Sequence, residues 1–311
     1  MPRKLTSSQL FRQLPITLNF SMMHTRPFKA YKKLSLTIIA IALLVVSCTE
    51  RIDIELDSTY TRCVVYGEFT TDTTAHWVSV TRTGDYYQNV PPSAVSNAVV
   101  SITDGENVFM LTEDADNPGL YFTANSVFGE VGKVYTLHVE EVDLLNDGNT
   151  TNYQAITELK PVASPDSVIV VYQSIWDAWL VNVYVQDPPD TEDYYKFLVY
   201  QNGTLHSDSL LDIQYTNDAF FNGNYTNGIS VYFVDGKSED TFLPGDTITV
   251  EFCGITQDYY KYLIEAQITA RPSVPLFSGP PANPRTNLTN GAVGYFAAYS
   301  VSRASTVIPN K

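Results

Sequence analysis

From Arg62 onward, apolar and polar residues alternate in short runs, at 62–70, 76–83, 98–104, 108–113, 120–123, 134–142 and 153–159. A period of two sends successive side chains to opposite faces, so each run predicts a strand with one buried face. The breaks carry turn chemistry. Asp104-Gly105, Asn117-Pro118-Gly119, Gly129 with Gly132, and Asn146-Asp147-Gly148 supply positive φ or hydrogen-bonding side chains where the chain reverses. Seven strands at this spacing predict a β-sandwich over 61–162.

Pro161 and Pro165 interrupt strand pairing and mark a domain boundary. Strands resume at 168–172, 180–186, 194–200, 229–234, 247–253 and 293–301. One helix is predicted near 258–270, with Thr256 as its cap and Pro272 beyond its end. Tyr260, Leu263, Ile264 and Ile268 form its apolar stripe, expected to pack on a sheet. The expected fold is therefore all-β, with two β-sandwich-like domains at 61–162 and 163–311, the second carrying one packed helix. Ala98-Val99-Val100-Ser101-Ile102, Gly119-Leu120-Tyr121 and Gly132-Lys133-Val134-Tyr135-Thr136-Leu137 make the first similar to immunoglobulin-like and transthyretin-like modules.

The N-terminal hydropathy follows another logic. Arg26, Lys29, Lys32 and Lys33 precede an apolar run of 13 residues, Leu34 to Val46. That run is shorter than the ~20 residues a bilayer core requires, and it reads as a signal peptide over 1–47. Residues 1–21 are superfluous to such a signal, which places the expected start at Met22 or Met23. Leu43-Leu44-Val45-Val46-Ser47-Cys48 resembles a bacterial lipobox, in which the cysteine is lipidated and becomes the first mature residue. Residues 48–60, with Glu50, Asp53, Glu55 and Asp57, read as an acidic tether. Acidic residues after a lipidated cysteine resemble the surface-export signals of Bacteroidetes-type lipoproteins, which favours the cell-surface face of the outer membrane over its periplasmic face.

Charge narrows the partners. Seven of the 19 basic residues lie in 1–47, which holds no acid, so 34 acidic residues in the remainder face twelve basic ones. Such a surface repels phosphate backbones, which argues against nucleic-acid binding and leaves the lipid on Cys48 as the expected membrane contact. Cys63 and Cys253 each sit within an apolar run; an exported chain can form disulfides, but buried thiols are expected because this pair would have to join separate domains.

No residue pattern assembles recognisable catalysis. His76, His138 and His206 are widely separated and lack zinc spacing. No G-x-S-x-G occurs, and Ser230 lies in a strand-like run. Asp187, Asp190, Glu192 and Asp193 are acidic enough for calcium, but the prolines between them favour a solvated loop. Asp114, Asp116 and Asn117 begin like a calcium loop and fail at its twelfth position, Asn125. The expectation is a non-enzyme without cofactor or metal. Aromatic residues in loops, Tyr86 with Tyr87 and Trp176 with Trp179, are the candidate contacts for a glycan or peptide ligand.

Several segments in order resemble one family. They are Cys63-Val64-Val65-Tyr66-Gly67-Glu68-Phe69, Asp187-Pro188-Pro189 through Asp193-Tyr194-Tyr195, Leu243-Pro244-Gly245-Asp246, and Pro280-Pro281-Ala282-Asn283 through Gly291-Ala292-Val293-Gly294-Tyr295-Phe296. The chain resembles the domain of unknown function 4249 family, Bacteroidetes-type outer-membrane lipoproteins. The resemblance implies company with a TonB-dependent receptor and no established activity. The role expected is an accessory or ligand-capture component of such a transporter. An adhesion or structural protein is the alternative, and a cryptic hydrolase a third.

Overall fold

The structure is a computed structural model that describes residues 61–84, 91–271 and 283–309. The lipobox, Cys48 and its tether, and the Tyr86–Tyr87 pair lie outside those residues. Among the described residues the fold is all-β with one helix. The first half contributes β1 (Cys63–Thr70), β2 (Trp77–Arg82), β3 (Ser93–Ala94), β4 (Val99–Thr103), β5 (Val108–Met110), β6 (Thr112–Glu113), β7 (Leu120–Phe122), β8 (Val134–Val142) and β9 (Thr151–Glu158). The second contributes β10 (Pro165–Gln173), β11 (Ala178–Val185), β12 (Tyr194–Gln201), β13 (Thr204–Leu205), β14 (Gln214–Asn217), β15 (Ile229–Asp235) and β16 (Thr247–Ile255). Helix α1 (Gln257–Ala270) and strand β17 (Val293–Val307) close the chain.

Strand β17 is the spine. Along Val293–Tyr299 it pairs in parallel with β1, and along Ser300–Val307 it pairs antiparallel with β16. The result is a ten-stranded sheet with the order β13-β12-β16-β17-β1-β2-β7-β6, β3 and β14 pairing at its side. A four-stranded sheet, β5-β4-β8-β9, covers the β1 end, and a three-stranded sheet, β10-β11-β15, covers the β16 end. Each cover makes a sandwich with its own core. Val65, Phe69, Val78 and Tyr121 meet Val100, Ile102, Leu137 and Val139 in the first. Tyr195, Phe197, Val250 and Phe252 meet Val170, Trp179, Val181 and Val183 in the second.

The alternation of β17 distributes its side chains among three cores. Phe296 and Ala298 enter the first sandwich, Tyr295, Ala297 and Tyr299 face α1, and Ala304 packs on the second sandwich. Thr256 caps α1 by accepting from the Tyr259 amide, as the sequence predicts. The buried stripe is corrected, however: Tyr259, Leu263 and Ala266 point inward, whereas Ile268 is 65% exposed. The aromatic surface beneath the helix selects this face, since Tyr259 stacks between Tyr262, Tyr295 and Tyr299. Among the described residues, no helix is long and apolar enough to cross a membrane.

The β1–β17 junction requires glycine at position 294. Gly294 has φ of 103°, and a Cβ there would lie 2.0 Å from the Val65 carbonyl oxygen. A backbone atom in a paired strand has little freedom to retreat, and positive φ adds strain for any side chain. Gly294→Ala is expected to lower the unfolding free energy by about 3 kcal/mol or more, read from the denaturant midpoint. Unchanged stability would contradict this close approach.

Candidate functional site

Strands β1, β12 and β17 and helix α1 converge on a buried charge. On β1, Val65 and Phe69 enter the first core, so alternation turns Tyr66 and Glu68 to the opposite face, toward α1. Lys196, from β12, is only 1% exposed and donates to Glu68 Oε1 and to the Tyr299 hydroxyl, both at 2.9 Å. Tyr299 in turn donates to Glu68 Oε2 at 2.7 Å, and Tyr66 and Tyr259 each donate to Oε1 at 3.0 Å. The ammonium also sits 4.1 Å from the Tyr299 ring centroid.

Burial alone would push the Glu68 carboxyl's pKa upward. The Lys196 ammonium and the tyrosine hydroxyls overcome that and hold it below the ordinary carboxylate value. Burial likewise opposes charge on Lys196, but the Glu68 carboxylate raises its pKa. Lys196 thus keeps its proton at neutral pH and acts as a counter-ion rather than a nucleophile. Nearby, the Arg303 guanidinium joins Glu251 at 2.6 Å and also bonds Asp72 at the β1–β2 turn.

The acidic loop between β11 and β12 has a different geometry. Asp190 and Glu192 are exposed, as expected of a solvated loop, but Asp187 is buried beside Asp193 and Asp218. Carboxylate oxygens of these three lie within 4.8 Å of one another. Asp187 accepts from the Tyr195 hydroxyl at 2.6 Å and the Gly223 amide at 3.1 Å, while Asp218 accepts from the Asp193 amide at 2.9 Å. Calcium takes about six to eight oxygens, so these carboxylates would supply part of a coordination shell. What they do in the fold is fasten the 187–193 loop to the 218–223 loop. Burial raises the Asp187 pKa, and the Asp218 and Asp193 carboxylates add to it.

The remaining sequence candidates scatter. Trp176 is 64% exposed at the β10–β11 turn, whereas Trp179 is a core residue set edge-on against Tyr172 at 5.0 Å. The two tryptophans therefore do not share a surface. His76 is buried against the Val127 carbonyl oxygen, and His206 contacts Tyr232 and the Asp240 carbonyl oxygen, at 2.8 Å from the latter. His138 is partly exposed on β8, and the Ser230 hydroxyl donates to Asn182 at 2.6 Å. Asp114 accepts from Asp116 and Asn117 in a hairpin turn. Cys63 and Cys253 are free and buried, with burial pushing the Cys63 thiol's pKa up to about 12. Lys196, Glu68 and Asp218 were not singled out by sequence reasoning. Glu68 and Lys196 stand 128 positions apart.

Two substitutions test these arrangements. Lys196→Met leaves Glu68 buried without its counter-charge and is expected to cost about 3–5 kcal/mol at neutral pH. Because the folded Glu68 pKa is depressed, the pair's contribution is present above the unfolded carboxyl pKa and lost as pH falls through the folded value. The deficit of the variant should therefore narrow in acid; a gap that is small at neutral pH or widens in acid contradicts the pairing. Asp187 has the opposite sign. Its raised folded pKa favours the fold at low pH and penalises it as pH rises through the carboxyl range, so Asp187→Asn should gain stability on the wild type from acid to neutral pH. Parallel thermal-stability profiles for the two chains would contradict that burial penalty.

Comparison with known proteins gives a family rather than an activity. No curated protein matches the chain. Two solved structures of the Parabacteroides merdae beta-glucuronidase, one with glycerol in its active site, are 10% identical to it. They match over 61% of this chain but only 23% and 22% of theirs, with TM-scores of 0.19 and 0.20. The chain thus spans less than a quarter of those enzymes. A family model described as a domain of unknown function, DUF4249, matches residues 49–305. With nearly the whole β body inside that match, the chain belongs to the DUF4249 family.

Proposed function

We propose that this is a lipid-anchored outer-membrane protein without catalytic activity, serving as an accessory or ligand-capture component beside a TonB-dependent transporter. The observation that carries the proposal is the lipobox-like run ending at Cys48, with the family match beginning at the next residue. A thioether-linked diacylglycerol and an amide-linked acyl chain provide durable attachment, since each buried methylene contributes about 0.8 kcal/mol. The acidic tether that follows would keep the folded body away from anionic headgroups. Support for a non-catalytic role comes from the best-formed charged cluster, in which Glu68 and Lys196 are committed to one another and to three tyrosines. The transporter partnership rests on the family resemblance, and the cell-surface face on the acidic residues after Cys48.

Cys48→Ser leaves the β body intact and removes the acyl acceptor. Cell fractionation should find the wild-type chain in the membrane and the variant in the aqueous fraction. A variant that stays in the membrane would overturn the anchoring. Purification of the wild-type chain in mild detergent should recover a TonB-dependent receptor, and its repeated absence would overturn the partnership.

A further inference from the structure

We propose that the outer face of the β10-β11-β15 sheet is a protein-docking surface for a partner whose apolar patch is bordered by lysine or arginine. The inner face of this sheet supplies Val168, Val170, Trp179, Val181, Val183 and Val231 to the second core, so the outer face should be polar. One rung departs from this: cross-strand register aligns Val171, Leu180 and Phe233 across all three strands, with Phe233 55% exposed, next to a rung of Ile169, Asn182 and Ser230 in which the Ser230 hydroxyl donates to Asn182. Ile169 extends the patch along β10, and Ile175 and Trp176 project from the β10–β11 turn at 89% and 64% exposure. The outer face of β5-β4-β8-β9 is different. There the exposed Val108 and Ile156 are separated by Thr103 and Thr136 in the same rung. Contiguous exposed apolar surface of the first kind marks interaction sites in stable proteins.

Charge selects the occupant. Exposed Asp166, at the bulge that begins β10, and exposed Asp235, ending β15, border the patch at opposite ends of the sheet. Lys237 is the cation at the turn end, and Asp177 engages it at 2.8 Å. A second copy would bring acidic borders together, and an anionic lipid surface would meet the same repulsion. A basic border on a different protein complements both ends. The spine places the face accordingly: β1 starts opposite Val293, at one end of β17, while this sheet covers the part paired with β16, toward Val307. The face thus lies toward the end of β17 remote from the start of β1.

The test uses the full chain in its native membrane, with a photoreactive phenylalanine analogue at Phe233 or, as control, at Thr136. A discrete adduct with one other protein is expected from position 233 and none from 136. It should fall about tenfold in the Asp166→Lys/Asp235→Lys double variant and in about 0.5 M salt, where screening shortens to a few Å. An adduct of twice the chain mass, adducts to lipid alone, no adduct, or an adduct indifferent to charge reversal and salt would each overturn the proposal. It builds on the accessory reading, yet the two fail separately: loss of anchoring is read by fractionation of Cys48→Ser, loss of docking only by the adduct pattern.

Discussion

One buried ion pair sets the constraint under which the rest of the molecule is built. Lys196 and Glu68 come from strands in different halves of the chain and meet where the two sandwiches and α1 share the spine. Removing two charges from water is expensive, and the arrangement tolerates it only because the acceptor sites are filled by an ammonium and three tyrosine hydroxyls. Each tyrosine therefore has a fixed place, Tyr66 on β1, Tyr299 on β17 and Tyr259 on α1. The pair thus gives β1, β12, β17 and α1 a shared polar contact in addition to the register that burial of one face already imposes. The close approach of Gly294 to Val65 serves the same junction through the backbone.

Much of the architecture was legible because strand burial leaves a local trace. Alternation located the long strands, and a cap with a downstream proline located the helix. The failures are equally physical. Hydrophobicity ranked Ile264 and Ile268 as inward positions, yet Tyr259 wins because its hydroxyl reaches Glu68 and its ring stacks on Tyr295. Strand β17 runs to Val307 rather than 301, since the polar stretch around Arg303 is held by Glu251 and Asp72. Trp176 and Trp179 look alike in sequence, but a turn residue and a strand residue three positions apart end in solvent and core. The Glu68–Lys196 contact and the place of Asp218 beside Asp187 arise from pairings far apart in sequence, for which no local pattern exists.

For function, the division of labour follows the spine. One end of β17 lies beside the start of β1, its middle carries a charge network whose members satisfy one another, and its far end lies under a sheet with an exposed apolar rung on its outer face.

Through the buried pair and β17, the two sandwiches should behave as one cooperative unit. Native-state hydrogen exchange across sub-denaturing urea tests it most directly, by comparing amides of β8 in the first sandwich with those of β11 in the second. Both sets should merge into a single opening with one free energy and one urea dependence. Separate isotherms, with one sandwich opening while the other stays protected, would contradict it.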